Sequence, residues 1–435
     1  MSLNECEKMV STLLKKGATE CEAYIEDTTE TIITIDNGAI HGKRKKKSLT
    51  FGLRTLMDKR KGFIAGSLPV ESIDEIEKVS LYITRNAVPD DNWNHLPYPK
   101  GATPVKGIYD KRLAHIPVET VKDDVETMIT TAQEPDITID SGKVSCTVKE
   151  FSIVNSHDLS HAYRTTNLSV HFVCRCKQSE STWGVHSSRQ YDADFAALAE
   201  KTVEQARAII NPQSLNSFTG EAILLPEPVE DIILTPLRWC FNAETVEKTK
   251  FSHKFNEKVA SDTITVVDDG TISKGIHTSP VDGEGNPTRK TPLINKGVLC
   301  GLLHSEYTAH VHGVQSTGNA VRQASTEPQI GITNLSIKGG TSTTDELIQD
   351  VKKGVLIGDF SGNTDPFTGL FSGVIEHSYS IEKGELTHPV TGVMIHGNIY
   401  DLLQNVVDMG QEKRTGEGGI YAIPILVRNL NIISF

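Results

Sequence analysis

The chain has 435 residues, with 44 Lys+Arg against 56 Asp+Glu and a net charge of −12 at pH 7. That acidic balance lacks the basic field that phosphate binding needs, so DNA and RNA are excluded as main partners. With 37% hydrophobic and 23% charged residues the chain can bury sizeable cores, and at roughly 100–200 residues per domain it predicts two to four domains.

In chain order, Leu3, Cys6, Val10, Leu13 and Leu14 recur at helical spacing, and Gly17 reads as the stop. Cys21–Glu26 and Thr31–Ile35 read as strands, Asn37-Gly38 as a hairpin turn, and Ile40 as the start of the return strand. Ser48–Met57 and Gly62–Ser67 continue the strands, and Val70–Asn86 reads as a helix. Val88–Pro104 holds four prolines (89, 97, 99, 104) and reads as a linker. Beyond it, Val118–Ala132 and Asp192–Ile210 have helical patterning, and 152–176 alternates as hairpin strands do. In the last half, Glu221–Leu225, Asp231–Leu234 and Thr263–Asp268 read as strands. Pro236–Thr249, Ser305–His310, Thr344–Lys353 and Ile399–Met409 read as helices, and Gly419–Ile433 as one long strand. The predicted architecture is α+β in three parts. These are an N-terminal α+β domain (1–87), a middle α+β segment (105–213) and a larger, Gly-rich, mainly β C-terminal domain (219–435).

Apolar stretches such as Tyr421–Val427 fall far short of the roughly 20 residues of a spanning helix, so no membrane contact is predicted. Met1–Val10 carries charge where a secretory leader is apolar. Seven scattered cysteines (6, 21, 146, 174, 176, 240, 300) read as reduced thiols, and the expected compartment is the cytoplasm.

A zinc-peptidase helix needs His-Glu at its start, two imidazoles to hold the metal and a carboxylate to activate its water. None of the 15 histidines is followed by Glu, which excludes HExxH and HExxxH alike. Leu302–Gly313 is the nearest imitation, with His304, Glu306, His310 and His312. His304 and His310 stand about 600° apart around a helix and so face apart, which favours a polar surface helix over a metal site. Cys174 and Cys176 share a strand face but lack a second pair, and read as buried thiols. Gly369–Gly373 places its serine one position late for a hydrolase nucleophile elbow. No Walker A or dinucleotide fingerprint occurs, and Asp282–Thr288 has acidic spacing without the EF-hand pattern. Lys43–Lys47 is the one dense basic run and reads as a solvated strand end, with docking to an acidic partner surface as the alternative.

Three stretches carry a resemblance: Gly17–Ile40 with Phe51–Ser67, Ile264–Arg322, and Phe367–Gly410. They resemble the TldD/PmbA family, in particular its PmbA (TldE) branch. The first follows the family's GA-x-x-x-E-x-Y strand, turn Gly and K/R-G strand. The second is similar to its G-x-x-S-x-P-x-D-x-E-G, I-x-x-G-V-L and S-T-G segments, and the third to its I-E-x-G-E-x-x-x-P-V segment. The resemblance implies a cytosolic metallopeptidase system acting on unfolded or peptide-like substrates, with a historical label as modulator of DNA gyrase. In that family the TldD branch carries HExxxH and a late Cys as zinc ligands. The PmbA branch lacks the metal and pairs with TldD around the peptide.

This chain sides with the second branch. Thr235–Phe251 holds neither ligand His nor the general-base Glu in the required spacing, and Val407–Gly419 holds no cysteine. Cys240 and His253 do not rebuild a site; they read as a core thiol and a surface imidazole. The expectation is therefore a peptidase-family subunit with no catalytic residue and no bound cofactor of its own. Zinc is expected in a TldD-like HExxxH-bearing partner, a self-dimer being the alternative assembly. A subunit without a nucleophile can still hold an extended peptide along a sheet edge, and Gly-rich loops allow close backbone approach. Asp282, Glu284, Thr317 and Asn319 are the candidate substrate-lining residues, with turn chemistry as the competing reading. The competing functions are an autonomous peptidase with a non-standard metal site from His304, His310 and His312, and a non-proteolytic, gyrase-type protein-binding modulator.

Overall fold

A computed structural model describes residues 2–68, 73–177, 179–412, 414–415 and 418–435. Helix α1 (Ser2–Lys15) leads into three antiparallel strands, β1 (Glu20–Asp36), β2 (Ala39–Met57) and β3 (Arg60–Ser67), then α2 (Ile73–Asn86). Residues 70–72 of the expected helix Val70–Asn86 lie outside the described residues. Asn37 and Gly38, at φ 47° and 72°, make the tight β1–β2 turn, whose left-handed residues match the twist of the paired strands. The expected pair Cys21–Glu26 and Thr31–Ile35 is one continuous strand, because Asp27–Glu30 stays paired on both sides.

After the proline-rich segment come α3 (Lys111–Ala114), α4 (Val118–Ala132), β4 (Ile137–Asn155), β5 (Ser160–Cys176), β6 (Thr182–Ser188) and α5 (Phe195–Ala208). Their strands join the first three in one six-stranded sheet, ordered β3-β2-β1-β4-β5-β6. One face of that sheet is covered by helices. Cys6, Met9, Val10 and Leu13 of α1 pack on Cys21, Ala23 and Ile25. Val121, Val125 and Met128 of α4 with Ala199 and Val203 of α5 pack on Ile33, Val144 and Phe172. Cys174 and Cys176 are buried on this face.

The C-terminal part opens with β7 (Phe218–Leu224) and a continuous helical run. The run comprises α6 (Pro226–Val229), a π turn (Glu230–Leu234) and α7 (Thr235–Phe241). It overturns the expected strand at Asp231–Leu234. A short apolar run fits a buried helix as well as a buried strand, and a proline at the first helical turn starts the helix here. The helix expected at Pro236–Thr249 ends at Phe241. Next come β8 (Val266–Asp269), β9 (Lys290–Asn295), β10 (Val298–Leu299), α8 (Glu306–His312), β11 (Ala320–Val321), β12 (Gln329–Ile330) and β13 (Leu335–Ile337). The chain continues through α9 (Thr344–Gln349), β14 (Lys353–Ile357), β15 (Asp359–Thr364), β16 (Leu370–Glu376), β17 (Tyr379–Glu382) and β18 (Glu385–Pro389). It closes with β19 (Val393–Asn398), α10 (Ile399–Gln404), β20 (Val406–Met409), β21 (Arg414–Thr415), β22 (Ile420–Ala422) and β23 (Ile425–Ser434). A nine-stranded sheet (β15-β16-β19-β23-β7-β14-β17-β18, with β20 beside β23) shares one large core with a six-stranded sheet (β10-β9-β8-β13-β22-β21). The single terminal strand expected at Gly419–Ile433 is therefore two strands in different sheets, divided at Ile423-Pro424, where proline has no N–H to extend the ladder. Likewise the helix expected to Met409 stops at Gln404, and β20 follows.

The segment 88–104 is a strap bound to both halves of the molecule. Leu96 is fully buried, and its N–H donates to Glu20. Asn155 Nδ2 donates to the Pro97 carbonyl at 2.8 Å, and Thr103 Oγ1 donates to the Thr288 carbonyl at 2.6 Å. No helix among the described residues is long and apolar enough to cross a membrane.

Candidate functional site

The uncovered face of the first sheet meets the Gly-rich loops of the C-terminal part across a cleft of about 480 Å³. Strand alternation builds its floor. Odd residues of β1 near Ile25 face α1, so Tyr24 and Glu26 face the cleft. The register sets Phe151 opposite Tyr163, Lys149 opposite Thr165 and Thr147 opposite Asn167, giving three cross-strand rows of lining side chains. Phe151 and Tyr163 stack with centroids 4.9 Å apart. The roof comes from Ile276–Ser279, Asp282-Gly283, and Gly318 with Ala320–Gln323.

Charge in this cleft is unevenly compensated. Lys149 pairs with Glu26 at 2.8 Å. Arg189 is buried and donates to the carbonyls of Gly275, Thr166 and Thr278, at 3.1–3.4 Å. Burial draws its guanidinium down to about 10. His277 reaches into the cleft, where surrounding protein and the neighbouring Arg189 and Lys149 hold its imidazole at about 4. It is accordingly neutral at pH 7.

A buried ion chain anchors the roof to the floor. Arg54 Nη2 donates to Glu22 and Nη1 to Glu284, each at 2.9 Å, and Arg322 also donates to Glu22. The Arg322 guanidinium lies 4.5 Å over the Tyr24 ring.

Of the four expected lining residues only Asp282 is part of the cleft wall; Glu284, Thr317 and Asn319 lie beside it in the same loops without lining the cleft. Asp282 lines the cleft; its Oδ1 accepts the N–H groups of Glu284 and Asn286, and Oδ2 that of Ala320. Burial and neighbouring Glu284 push its carboxyl upward, against those three donors. Glu284 accepts from Arg54 and from the Glu306 N–H. Thr317 bonds both backbone groups of His304, and Asn319 donates to Asp268 at 2.6 Å. These polar atoms hold loops to loops. Tyr24, Lys149, Phe151, Tyr163, Arg189, His277 and Arg322 were not singled out from sequence. For Lys149, Phe151 and Tyr163 the signal is the row of aromatic and charged residues alternating along β4 and β5; the other four lie outside those strands and are brought to the cleft only by the fold.

The helical run 226–241 carries no histidine. Cys240 is buried, 3.4 Å from the Tyr400 hydroxyl, and burial pushes its thiol up to about 11; His253 is exposed. A thiol held protonated in an apolar core is a poor metal donor. The run thus offers no imidazole, and its one thiol is held protonated. Among the described residues, one group of potential metal donors converges: His95 of the strap with Glu306 and His310 of α8. His304 and His312 face each other at 5.5 Å instead, so the three histidines 304, 310 and 312 do not form one site.

Three family models match in order: PmbA/TldA metallopeptidase domain 1 over residues 21–79, the central domain over 111–209 and the C-terminal domain over 219–434. The chain belongs to the PmbA/TldD family. An uncharacterized protein of Methanocaldococcus jannaschii is 25% identical over 95% of this chain and 96% of its own. The metalloprotease PmbA of Escherichia coli O157:H7 is 22% identical over 94% and 92%. A metalloprotease of Methanothermobacter thermautotrophicus is 31% identical over 52% of this chain and 50% of its own. In structure, TldE from Thermococcus kodakarensis superposes with TM-score 0.91 over 98% of this chain and 99% of its own, at 21% identity. A Thermotoga maritima protein described as a modulator of DNA gyrase gives 0.89 over 98% of both chains, at 20% identity. These likenesses establish a PmbA/TldD-family chain of α+β fold.

Proposed function

We propose that this PmbA/TldD-family chain is the substrate-holding subunit of a cytoplasmic TldD/TldE-type metallopeptidase and supplies no catalytic zinc. Its partner is a related chain bearing HExxxH and the zinc, or alternatively a second copy of itself. The substrate is an unfolded, extended peptide. It lies in the cleft between the first sheet and the Gly-rich loops, with Asp282, Glu284, Thr317 and Asn319 framing the wall. One observation carries the reading: a cleft of about 480 Å³ with an aromatic and charged floor stands in a chain whose 226–241 helix has no zinc ligands. Phe151 and Tyr163 offer flat apolar area to peptide side chains.

The test is hydrolysis of an unstructured reporter peptide by the purified chain, alone and with an equimolar HExxxH-bearing relative, each with and without chelator. The expected result is silence alone and chelator-sensitive cleavage in the mixture. Peptide binding to the isolated chain should weaken about 10-fold in Phe151→Ser, the loss of one aromatic contact worth about 1.5 kcal/mol. Chelator-sensitive cleavage by this chain alone would overturn the reading.

A further inference from the structure

His95 comes from the strap, and Glu306 and His310 stand one turn apart on α8. Each offers one donor atom, and these atoms lie within 4.8 Å of one another. Glu306 is buried and both imidazoles are half-buried. His310 Nε2 is 3.4 Å from Glu306 Oε1, and the His95 and His310 ring centroids are 4.3 Å apart. His95 Nδ1 is 2.8 Å from the Leu96 carbonyl oxygen. A carbonyl only accepts, so this contact places a proton on Nδ1 and leaves the Nε2 lone pair free. An outer hydrogen bond of this kind fixes the tautomer of metal-binding histidines.

Glu306 is also held in place. Its N–H donates to Glu284 Oε2 at 2.9 Å, and Ser305 caps the helix. The remaining neighbour is Lys100, whose ammonium lies 3.4 Å from Glu306 Oε2 and donates to Asn286 Oδ1 at 3.0 Å. The Lys100 side chain is 45% exposed, so it can swing into solvent.

We propose that His95, Glu306 and His310 form a binding site for a divalent transition-metal ion of the Zn²⁺ type, which clips the strap to α8. Two imidazoles and one carboxylate are a donor set for such an ion and leave a coordination position for water. The ammonium of Lys100 acts as the placeholder that the dication displaces. The site lies on other elements than the helix 226–241, and it does not rest on the peptidase reading.

Tag-free, chelator-stripped full-length chain should be titrated with Co²⁺, read by its visible d–d absorption, and then competed with Zn²⁺. One Co²⁺ per chain is expected, displaced by Zn²⁺, with a rise in melting temperature on binding. His95→Ala, Glu306→Gln and His310→Ala should each weaken binding by more than the roughly 10–100-fold that loss of an outer-shell partner costs. His312→Ala, exposed beside His304, should leave affinity unchanged, and Lys100→Met should tighten it by removing the competing cation. Far-UV circular dichroism of each variant separates lost binding from lost fold. Absence of the absorption band, its survival in His95→Ala and His310→Ala, or its loss in His312→Ala would overturn the site. Unchanged affinity in Lys100→Met would overturn the displacement step. The readout needs no peptide and no partner, so it stands or falls apart from the hydrolysis assay.

Discussion

Arg54→Met should break the junction between the first sheet and the C-terminal loops. Arg54 donates to Glu22 and Glu284, each at 2.9 Å, and the three side chains are 4%, 0% and 2% exposed. Each charge-assisted bond is worth about 1.5–3 kcal/mol. Methionine fills much of the volume but leaves two carboxylates in the interior. Glu22 keeps Arg322, whereas Glu284 loses its guanidinium and keeps the Glu306 N–H. Removing one member of a buried ion pair costs about 3–5 kcal/mol, and that is the expected loss. Arg54→Lys keeps the charge but not the two-pronged geometry, so it should fall between parent and Arg54→Met. Trp93 is the local reporter: it lies 5.8 Å from the Arg54 guanidinium and stacks on Tyr307 at 6.2 Å. With Trp183 and Trp239 replaced by Phe throughout, urea unfolding followed by Trp93 fluorescence isolates this junction. Far-UV circular dichroism beside it guards against reading a multi-step transition as two-state. A loss under about 1 kcal/mol in Arg54→Met, or equal losses in the Lys and Met variants, would refute the reasoning.

Asp268 is fully buried and accepts the Thr333 N–H, the Thr333 hydroxyl and the Asn319 amide. Burial outweighs these donors and pushes its carboxyl from 3.8 up to about 6. The folded state then holds a proton that the unfolded chain has released, so its stabilising contribution is complete below about pH 4 and is lost as pH rises through 6. A shift of about 2 units corresponds to roughly 3 kcal/mol. Asp268→Asn, neutral at every pH, should flatten the stability profile between pH 4 and 7 by about that amount, and parallel profiles would sink the assignment. Among the seven cysteines, six are buried and Cys300 is half-buried. Native protein should therefore present a single thiol to a disulfide reagent, reacting slowly because burial raises its pKa, and seven after denaturation. Cys300→Ser should be silent in the native assay; a second thiol reacting in the native protein would contradict the packing.

Much of the first half was legible because its signals are local. Helix α4 falls on the expected Val118–Ala132, and the Asn37-Gly38 turn sits where the dipeptide placed it. The C-terminal part was harder, since its strands are short and their partners distant. Ile232-Ile233-Leu234 is buried on every side, so its pattern carries no period to separate helix from strand. Pro-rich composition marked 88–104 as irregular, which it is, but irregular backbone can still be held through side chains such as Asn155 and Thr103. Such contacts span 58 and 185 residues and leave no trace in local composition. For the same reason the cleft floor was invisible: Tyr24 and Phe151 approach each other only through the β1–β4 pairing.

The apolar cores of the two halves stay almost wholly separate. One large cluster is drawn from residues 222–432, two others from residues up to 206, and among the described residues only the small group Tyr24, Ile153, Leu159 and Ala324 spans the junction. Apolar contact is tolerant of small slips, whereas paired charges with fixed donor directions are not. The Glu22–Arg54–Glu284 chain, continued to the α8 backbone through the Glu306 N–H, therefore sets how the roof loops sit over the sheet. Replacing such ions with apolar residues can preserve stability in other proteins, so their retention here points to position more than to strength. On this argument the width of the cleft is set by the ion chain, and Arg54→Met should weaken peptide binding even under conditions where each half remains folded.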